Sequence, residues 1–480
     1  MLRLSFLYIM RPLQNNTIFW YDYETFGLKP SISPIAQFAG VRTDLDLNII
    51  DKPIILYNQP NNDFLPEIEA CLLTEITPQI CQERGIPEYE FIGKIIAQMS
   101  VPNTCICGFN NIKFDDEFTR WTLYRNLMKV YDHEWKNNNS RWDIINVVRM
   151  CAAMRFDGLV IPTNDEGQIN FKLENLTREN NITHSNAHDA MADVYATIEI
   201  AKLIKNMQPK LYDYFFYNRN KKMINNIMNL SQRPMLVHSS SKFFNKFYNT
   251  SIIVPLDNHP VNKNSIICYD LRYEVDDFLS LPADECKKRL YTKIKDLPDN
   301  SQRIALKAIS INQAPVVAPI SIMQNDPKLW QRINLDKKEV ENRYNLLLQN
   351  IKQILPKIVD IYSDNNFDNQ NQDVEQTLYG GGFISDNDYN LLSQFRADPT
   401  TNRQFLFQDN RLEELTFRYQ AKYYPNSLAA EQQQKWDRHR LQKMDKESYL
   451  KNITDYKNNN SIGSEKLKIL DDLQNWCDEI

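Results

Sequence analysis

The chain has 480 residues, a mass of 56.7 kDa, 42% hydrophobic residues and a net charge of −5. This length suits roughly two to four domains of about 150 residues each. The sequence has no run of about 18 apolar residues, which excludes an ordinary membrane-spanning helix. The cysteines number 8 and are scattered, and Cys105 and Cys107 form C-x-C rather than the metal-binding C-x-x-C. We therefore expect buried, reduced thiols in a cytoplasmic protein.

The charge is unevenly distributed along the chain. A pI near 5.8 argues against a nucleic-acid partner for the protein as a whole. From Lys202 to Ser310, however, 18 Lys and Arg residues stand against 10 Asp and Glu residues. Because binding depends on the local field rather than on net charge, a nucleic-acid partner stays open.

The N-terminal half begins with strand-like and helix-like patterns in alternation. The first residues, MLRLSFLYIM, allow two interpretations: a secretory signal without a small-residue cleavage site, or a start placed upstream of an initiator at Met10. Beyond them, TIFWYDYETF, AQFAGVRTD, PIILYNQP and TCICGFN are typical of strands. PEYEFIGKIIAQM, FDDEFTRWTLYRNLM, RWDIINVVRMCAAM and HDAMADVYATIEIAKLIKNM are typical of helices. The pattern predicts an α/β (or α+β) layered domain over residues 17–205.

The rest of the chain predicts two further domains. Short β runs such as PMLVHSS, TSIIVPLD and NSIICYDL indicate a small antiparallel sheet or barrel over residues 206–362, closed by a helix. Residues 363–377 are polar and predict a linker. Residues 378–480 predict an all-helical C-terminal domain.

Two carboxylates stand two residues apart in IFWYDYETFG, a run that is otherwise aromatic and apolar. Asp22 and Glu24 would point to the same face of a strand, because residues i and i+2 share a face. Buried charges are costly unless they are compensated, and a divalent cation such as Mg²⁺ compensates a pair of this kind. The alternative is an edge-strand pair that faces water.

The segment GFNNIKFDDEF carries a second pattern, N-x-x-F-D, through Asn111 and Asp115. These residues are i,i+4 neighbours if a helix begins here. Alternatively, Asn110 or Asn111 is only an N-cap, and Asp115 and Asp116 are favourable first-turn acids.

The segment HSNAHDAMADVYAT carries a third pattern, H-D-A-x-x-D, at the head of a long helix. Asp189 is the predicted N-cap, which leaves His188 just outside the helix and Asp193 in its first turns. A histidine at a helix start is usually only a capping or surface residue. His184, four residues earlier, lacks the D-A-x-x-D that follows His188.

In this order, D-x-E, N-x-x-F-D and H-D-A-x-x-D resemble the catalytic pattern of the histidine-bearing branch of the DEDD exonuclease superfamily. DYETFG, NNIKFDDEFTR, NSRWDIINVVR, FKLENLT and HSNAHDAMADVYATI are similar to the bacterial exonuclease I family. The similarity continues through PMLVHSS, RLYTKIKDL, INQAPVVAP and AEQQQKWDRHR, and covers the chain from about Thr17 onward. It implies a ribonuclease H-like exonuclease domain with a central mixed sheet, a small SH3-like domain and an all-helical C-terminal domain.

The resemblance implies two-metal hydrolysis of a phosphodiester with Mg²⁺, for which Mn²⁺ can substitute. Asp22 would bridge the two ions, and Glu24 and Asp193 would complete the first metal site. Asp115 would hold the second ion through water. His188 would take the proton from the attacking water.

The resemblance also implies contacts with single-stranded DNA. The backbone of Thr25 and Phe26, next to Glu24, would meet the 3′-terminal nucleotide, with Phe26 wedged against its base; core packing of Phe26 is the alternative. Lys172 stands where the family usually carries Arg, so its phosphate contact would lack a bidentate fork. The other expected contacts, which combine basic and aromatic side chains, are Arg120, Tyr131, Trp135, Arg149, Lys221, Asn264, Lys307 and Asn312.

The resulting hypothesis is a monomeric, cytoplasmic 3′→5′ exonuclease that degrades single-stranded DNA processively to 5′-mononucleotides in DNA repair or recombination. Single-strand binding protein, through its acidic C-terminal tail, is the partner that the resemblance implies, and no membrane is involved. Two alternatives stay open. One is an RNA-trimming relative with the same five catalytic residues, and the other is a non-catalytic single-strand DNA-binding scaffold.

Overall fold

The computed structural model describes residues 16–184, 189–298, 301–323, 325–363, 372–401, 403–458 and 463–480, so His188 lies outside the described residues. The strands are β1 Thr17–Thr25, β2 Ile35–Thr43, β3 Ile54–Gln59, β4 Ile86–Pro87, β5 Thr104–Gly108, β6 Ser140–Asp143, β7 Leu236–Ser239, β8 Thr250–Asn258, β9 Ser265–Asp270, β10 Leu306–Ser310 and β11 Val316–Pro319. The helices are α1 Ile68–Thr74, α2 Pro78–Arg84, α3 Glu88–Met99, α4 Asp115–Arg125, α5 Asp132–Trp135, α6 Ile144–Met154, α7 Leu173–Glu179, α8 Ala190–Met207, α9 Pro209–Tyr217, α10 Lys221–Ile227, α11 Asp276–Ser280, α12 Ala283–Tyr291, α13 Pro327–Arg332, α14 Lys337–Gln349, α15 Ile351–Tyr362, α16 Asp386–Ala397, α17 Arg411–Tyr423, α18 Ala430–Lys443, α19 Lys446–Lys457 and α20 Ser464–Glu479. Within these ranges, no helix combines the length and the apolar character needed to cross a membrane.

A mixed sheet forms the centre of the first domain, as predicted. Its strand order over the described residues is β4-β3-β2-β1-β5-β6, with β1 antiparallel to β2 and parallel to β5. The pairing of β1 with β5 ends where Trp20 lies opposite Cys107. The second half of β1, which carries Asp22 and Glu24, therefore extends beyond its pairing with β5 while it stays paired with β2.

The alternation of side chains along β1 assigns its two acids to one face. Ile18 and Trp20 enter the apolar core that also contains residues of α6 and α8. Asp22 and Glu24 continue that face, because side chains two residues apart in a strand point the same way. Helix α8 packs against β1 and β2, which brings Asp193, in its first turn, to the two acids.

The second domain contains an antiparallel sheet, which confirms the sequence-based expectation. Over the described residues its order is β10-β9-β8-β7-β11. Val237, Ile252 and Tyr269 of this sheet belong to the same apolar core as Trp20 of the first domain. The two domains therefore share a continuous core rather than being separate bodies on a flexible tether.

The C-terminal region is helical over its described residues, as expected. Leu392 and Leu412 pack into the core on the other face of β1, and Leu470 and Trp476 pack against Phe26 of the nuclease domain. The described part of the predicted linker, residues 372–377, is also packed, and Glu375 in it is buried. Its carboxylate lies 2.6 Å from the Nζ atom of Lys422, so an ion pair fixes this polar segment on the surface of the C-terminal domain.

Candidate active site

Acidic side chains from separate parts of the chain converge at the end of β1. The carboxylate oxygens of Asp22, Glu24 and Asp193 lie within 4.8 Å of one another. Asp115, the first residue of α4, is close enough for its charge to act on both Asp22 and Glu24. The four acids that the three sequence patterns predicted therefore share one site.

Burial and mutual repulsion raise the pKa values of these carboxyl groups. Burial raises the pKa of Asp22 well above its usual range, and the charges of Asp115 and Asp193 raise it further. Burial, followed by the charges of Asp193 and Asp115, raises the pKa of Glu24 to about 9. Burial and the charge of Asp116 also raise the pKa of Asp115. Such a group of carboxylates takes up protons unless a cation neutralises it.

The structure distinguishes the two adjacent aspartates of α4. Asp116 accepts a hydrogen bond from the Tyr21 hydroxyl at 2.5 Å and forms an ion pair with Arg141 on the far side of the helix start. The charge of Asp116 is thus compensated by the protein itself. Asp115 faces the other acids instead, which supports its assignment as the ligand.

The start of α8 is held by two polar side chains. The carboxylate of Asp189 accepts hydrogen bonds from the backbone N–H groups of Met191 and Ala192, both at 3.1 Å, which confirms the predicted N-cap. The Gln37 carboxamide oxygen, opposite Glu24 in the sheet, accepts the N–H of Ala190 at 3.3 Å. These bonds fix the turn of α8 that presents its acid to β1.

Asn111 is a buried amide beside the acids. A Cβ atom at Gly108 would lie 2.8 Å from the Tyr21 carbonyl oxygen and 2.9 Å from the Asn111 Cβ atom, so only glycine allows β5 to end this close to β1. The N-cap alternative for Asn110 and Asn111 is wrong, because α4 has Phe114 at its N-cap position and no side-chain cap. Among the described residues, neither polar atom of the Asn111 amide has a hydrogen-bond partner.

These observations fit a divalent metal site. Buried polar groups in proteins are almost always bonded to protein or to water, so an amide without a protein partner suits the hydration of a cation. Carboxylate oxygens are the ligands that hard cations such as Mg²⁺ prefer. Asp22, Glu24 and Asp193 would hold the metal directly.

The site opens into a groove with a volume of about 550 Å³. Two of the predicted DNA contacts, Arg149 and Lys172, line it. The Arg149 guanidinium donates to the Asn146 side chain at 2.8 Å, and its Nε has no partner among the described residues. Lys172 is exposed, with its Nζ atom 3.7 Å from the Glu174 carboxylate. Cationic groups thus border the acidic site on the side where a phosphate backbone would enter.

The chain was compared with known protein families and solved structures. Three family models match it: an exonuclease model over residues 19–201, the exonuclease I SH3-like domain over 219–364 and the exonuclease I C-terminal domain over 372–480. Exodeoxyribonuclease I of Haemophilus influenzae is 41% identical over 469 residues, which is 95% of this chain and 96% of that protein. The chain belongs to the exonuclease I family. This membership confirms the resemblance to the DEDD superfamily, the nuclease activity and the SH3-like assignment of the second domain.

Two solved structures of the exonuclease I family match almost the whole chain. Escherichia coli exonuclease I in complex with a dA16 oligonucleotide has a TM-score of 0.93 and 38% identity, and the match covers 97% of this chain and 100% of that one. An ExoI/SSB-Ct complex has a TM-score of 0.90 and 37% identity, and the match covers 97% of this chain and 99% of that one.

Arg120, one of the contacts that the family resemblance implied, lies inside the nuclease domain. Its Nε atom donates to the Glu134 carboxylate at 2.7 Å, and it also pairs with Glu117. The guanidinium lies 5.5 Å from the centre of the Tyr131 ring. Arg120 therefore supports Tyr131 and has little free surface of its own.

Trp135 is well placed for an aromatic contact. It ends the short helix α5, and it is 62% exposed. Tyr131, just before α5, forms an edge-to-face contact with Phe383 at 6.0 Å between ring centres.

The structure brings two predicted contacts of the SH3-like domain together. The Lys221 Nζ atom donates to the Asn264 side-chain oxygen at 2.6 Å. Lys307 lies over the Phe243 ring, 4.9 Å from its centre. Asn312 has an exposed side chain, and its backbone oxygen accepts from Arg141 of the nuclease domain at 3.1 Å.

Thr25 and Phe26 differ in what they can offer a nucleotide. The Thr25 hydroxyl donates to the Gly27 carbonyl oxygen at 2.8 Å, which shapes the turn after β1. Phe26 is 1% exposed and packs 5.4 Å from Phe64 between ring centres. Its burial favours the core-packing alternative over a wedge against the terminal base.

Sequence reasoning missed two groups of residues. Arg149 and Lys242 both lie close enough to Lys113 for like-charge repulsion to add to burial in lowering the pKa of Lys113. Phe383 is 89% exposed on the C-terminal domain. The segment YGGGF at residues 379–383 could have indicated this exposure, because a large aromatic residue after a run of glycines is poorly suited to a core.

Proposed function

We propose that this chain is a 3′→5′ exonuclease that degrades single-stranded DNA to 5′-mononucleotides with two Mg²⁺ ions. The observation that carries this proposal is the convergence of Asp22, Glu24, Asp115 and Asp193 in a chain that matches exodeoxyribonuclease I over 95% of its length. Asp22 would bridge the two ions, Glu24 and Asp193 would complete the first site, and Asp115 would hold the second through water. We also propose the three-domain division at residues 17–205, 206–362 and 378–480.

The protein supplies the proton acceptor for the reaction. When bound, the ions activate the attacking water and neutralise charge on the leaving oxygen. His188 stands one residue before the Asp189 N-cap and is the base that we assign from the sequence. An unperturbed imidazole titrates near neutral pH, which suits this task.

Basic side chains of two domains form a path for the phosphate backbone. The charges of Arg149 in the nuclease domain and Lys242 in the SH3-like domain both act on Lys113, and the charge of Lys242 also acts on Lys307. Burial lowers the pKa of Lys242 and of Lys307. Cations held together against their own repulsion favour a polyanionic ligand, and the Lys221–Asn264 pair extends this path.

Aromatic side chains provide stacking surfaces for bases. Trp135 and Phe383 are exposed, and Phe383 contacts Tyr131 across the boundary of the nuclease and C-terminal domains. Tyr379, 54% exposed, donates to the Glu117 carboxylate at 2.6 Å in the same region. Exposed rings beside a cationic groove are the features that bind single strands without sequence preference.

We further propose that the chain acts as a cytoplasmic monomer in DNA repair and binds the acidic tail of single-strand binding protein. The ExoI/SSB-Ct complex supports this partner. The cysteines, all buried and unpaired, fit a reducing compartment. Binding of a labelled tail peptide, with a scrambled peptide of equal charge as control, tests the partner. Equal affinity for both peptides would show that the chain attracts acidic peptides in general and does not recognise this tail specifically.

The substrate is tested with matched DNA and RNA oligonucleotides labelled at the 5′ end. We expect the single-stranded DNA to shorten from its 3′ end in Mg²⁺ and the RNA and the DNA duplex to persist. The control is Asp22→Ala, which removes the bridging ligand and should abolish degradation. Degradation of RNA at the same rate would favour the RNA-trimming alternative, since the 2′-hydroxyl is what separates the two substrates.

A further inference from the structure

His184 makes a direct contact with one of the four acids. Its Nε2 atom lies 2.6 Å from the Asp193 carboxylate oxygen Oδ1, and its side chain is 5% exposed. The sequence pattern gave it no role, because the D-A-x-x-D motif follows His188 instead. The structure nevertheless places it in the wall of the active-site groove.

The other nitrogen of this ring is held as well. The Nδ1 atom lies 3.1 Å from the hydroxyl of Thr177, a buried residue of α7. That hydroxyl also lies 3.0 Å from the carbonyl oxygens of Leu173 and Glu174, so α7 fixes its position. The chain of contacts runs from α7 through the imidazole to Asp193 in α8.

The chemistry of these groups determines which atom donates each hydrogen bond. An ionised carboxylate only accepts hydrogen bonds, so the Nε2 atom of His184 must carry the proton and donate it to Asp193. The Thr177 hydroxyl can either donate to Nδ1 or accept from it. This bond fixes the orientation of the Asp193 carboxylate relative to α7.

We propose that His184 is a positioning residue that orients the Asp193 carboxylate for metal binding. The inference rests on the proposed function, in which Asp193 is a metal ligand. Hydrogen bonds to ligating carboxylates fix their orientation, and loss of such a partner typically weakens metal affinity by about 10- to 100-fold. His184 and His188 would thus divide the work: one arranges a ligand and the other takes a proton.

The test is a titration of the metal-free, DNA-free full chain with Mn²⁺, followed by calorimetry or by the electron paramagnetic resonance of free Mn²⁺. We expect His184→Ala to bind Mn²⁺ about 10- to 100-fold more weakly and His184→Gln, which keeps an N–H donor, to recover part of the loss. His188→Ala should bind Mn²⁺ normally. His439→Ala, a histidine of the C-terminal domain near Asp373, is the control for histidine loss in general.

Turnover separates positioning from a purely structural role. His184→Ala should regain nearly normal degradation of single-stranded DNA at saturating Mn²⁺, whereas His188→Ala should stay slow at any metal concentration. A His184→Ala protein that binds Mn²⁺ as tightly as the unmutated chain would overturn the proposal. If Asp193→Ala also binds normally, the proposed metal site itself is wrong; if only Asp193→Ala loses affinity, the error lies in the role of His184.

A second pair of variants applies if His184→Ala fails to fold by circular dichroism. Thr177→Val removes the hydroxyl that holds the Nδ1 atom, and Thr177→Ser keeps it at nearly the same place. We expect weaker Mn²⁺ binding for the valine variant than for the serine variant. If both variants fold and bind Mn²⁺ with equal affinity, the proposed series of hydrogen bonds from α7 through His184 to Asp193 is contradicted.

Discussion

Glu24→Gln should abolish nuclease activity and yet stabilise the metal-free protein. Glu24 is buried among other carboxylates, and its pKa is raised from 4.5 to about 9. Between these two values the folded protein holds a proton that the unfolded chain has released. The free energy of unfolding therefore falls as pH rises through this window, and the glutamine variant escapes that loss.

The magnitude follows from the same window. Each pH unit between the unfolded and folded pKa values costs about 1.4 kcal/mol, so the loss reaches about 3 kcal/mol at pH 7 if Glu24 bears it alone. Asp22, Asp115 and Asp193 share the repulsion and relax when one charge is removed. We therefore expect the variant to gain about 1–3 kcal/mol at pH 7 and little at pH 5.

The assay is chemical denaturation in EDTA, followed by the fluorescence of Trp20 and Trp142 in the nuclease core. Glu83→Gln, a change at an exposed glutamate of α2, is the matched control. Saturating Mn²⁺ should reduce or reverse the gain, since the metal then stabilises only the unmutated site. A gain that is independent of pH, or no gain at all, would refute the electrostatic reasoning.

Four further predictions concern catalysis, the polar core and DNA binding. His188→Ala should lower turnover about 10²- to 10⁴-fold, measured with saturating Mg²⁺ and single-stranded DNA; normal turnover would assign the proton to another group. Arg141→Ala should cost about 3–5 kcal/mol of unfolding free energy by leaving Asp116 buried without its partner, and a loss below about 1 kcal/mol would show that water replaces the arginine. Phe383→Ala should weaken DNA binding by about 1–3 kcal/mol in an anisotropy assay without metal; an unchanged affinity would exclude stacking. Lys242→Ala should reduce the salt dependence of binding by about 0.7 in the logarithmic slope, and an unchanged slope would place Lys242 away from the phosphates.

The acids of the site could be predicted from the sequence because each stands in a short pattern with a fixed geometry. Asp22 and Glu24 share a strand face by the two-residue period, and the Asp189 cap sets where α8 begins. The sequence also favoured Asp115 over Asp116, although only the positions of Tyr21 and Arg141 explain why Asp116 turns away.

Other parts depended on how separate elements of the fold pack against one another. Arg120 has the charge of a DNA contact, but Glu134 on the neighbouring helix captures it. Phe26 has the shape of a base wedge, but Phe64 and C-terminal helices cover it. The role of His184 was hidden because this residue lies between α7 and α8, and only the packing of these two helices brings Thr177 and Asp193 to its ring.

The most direct measurement is the product analysis of single-stranded DNA labelled at its 5′ end and incubated with the protein and Mg²⁺. The proposed function predicts progressive shortening from the 3′ end and release of 5′-mononucleotides, both abolished in Asp22→Ala. An intact strand with the unmutated protein, internal cuts, or nucleotides with a 3′-phosphate would contradict it.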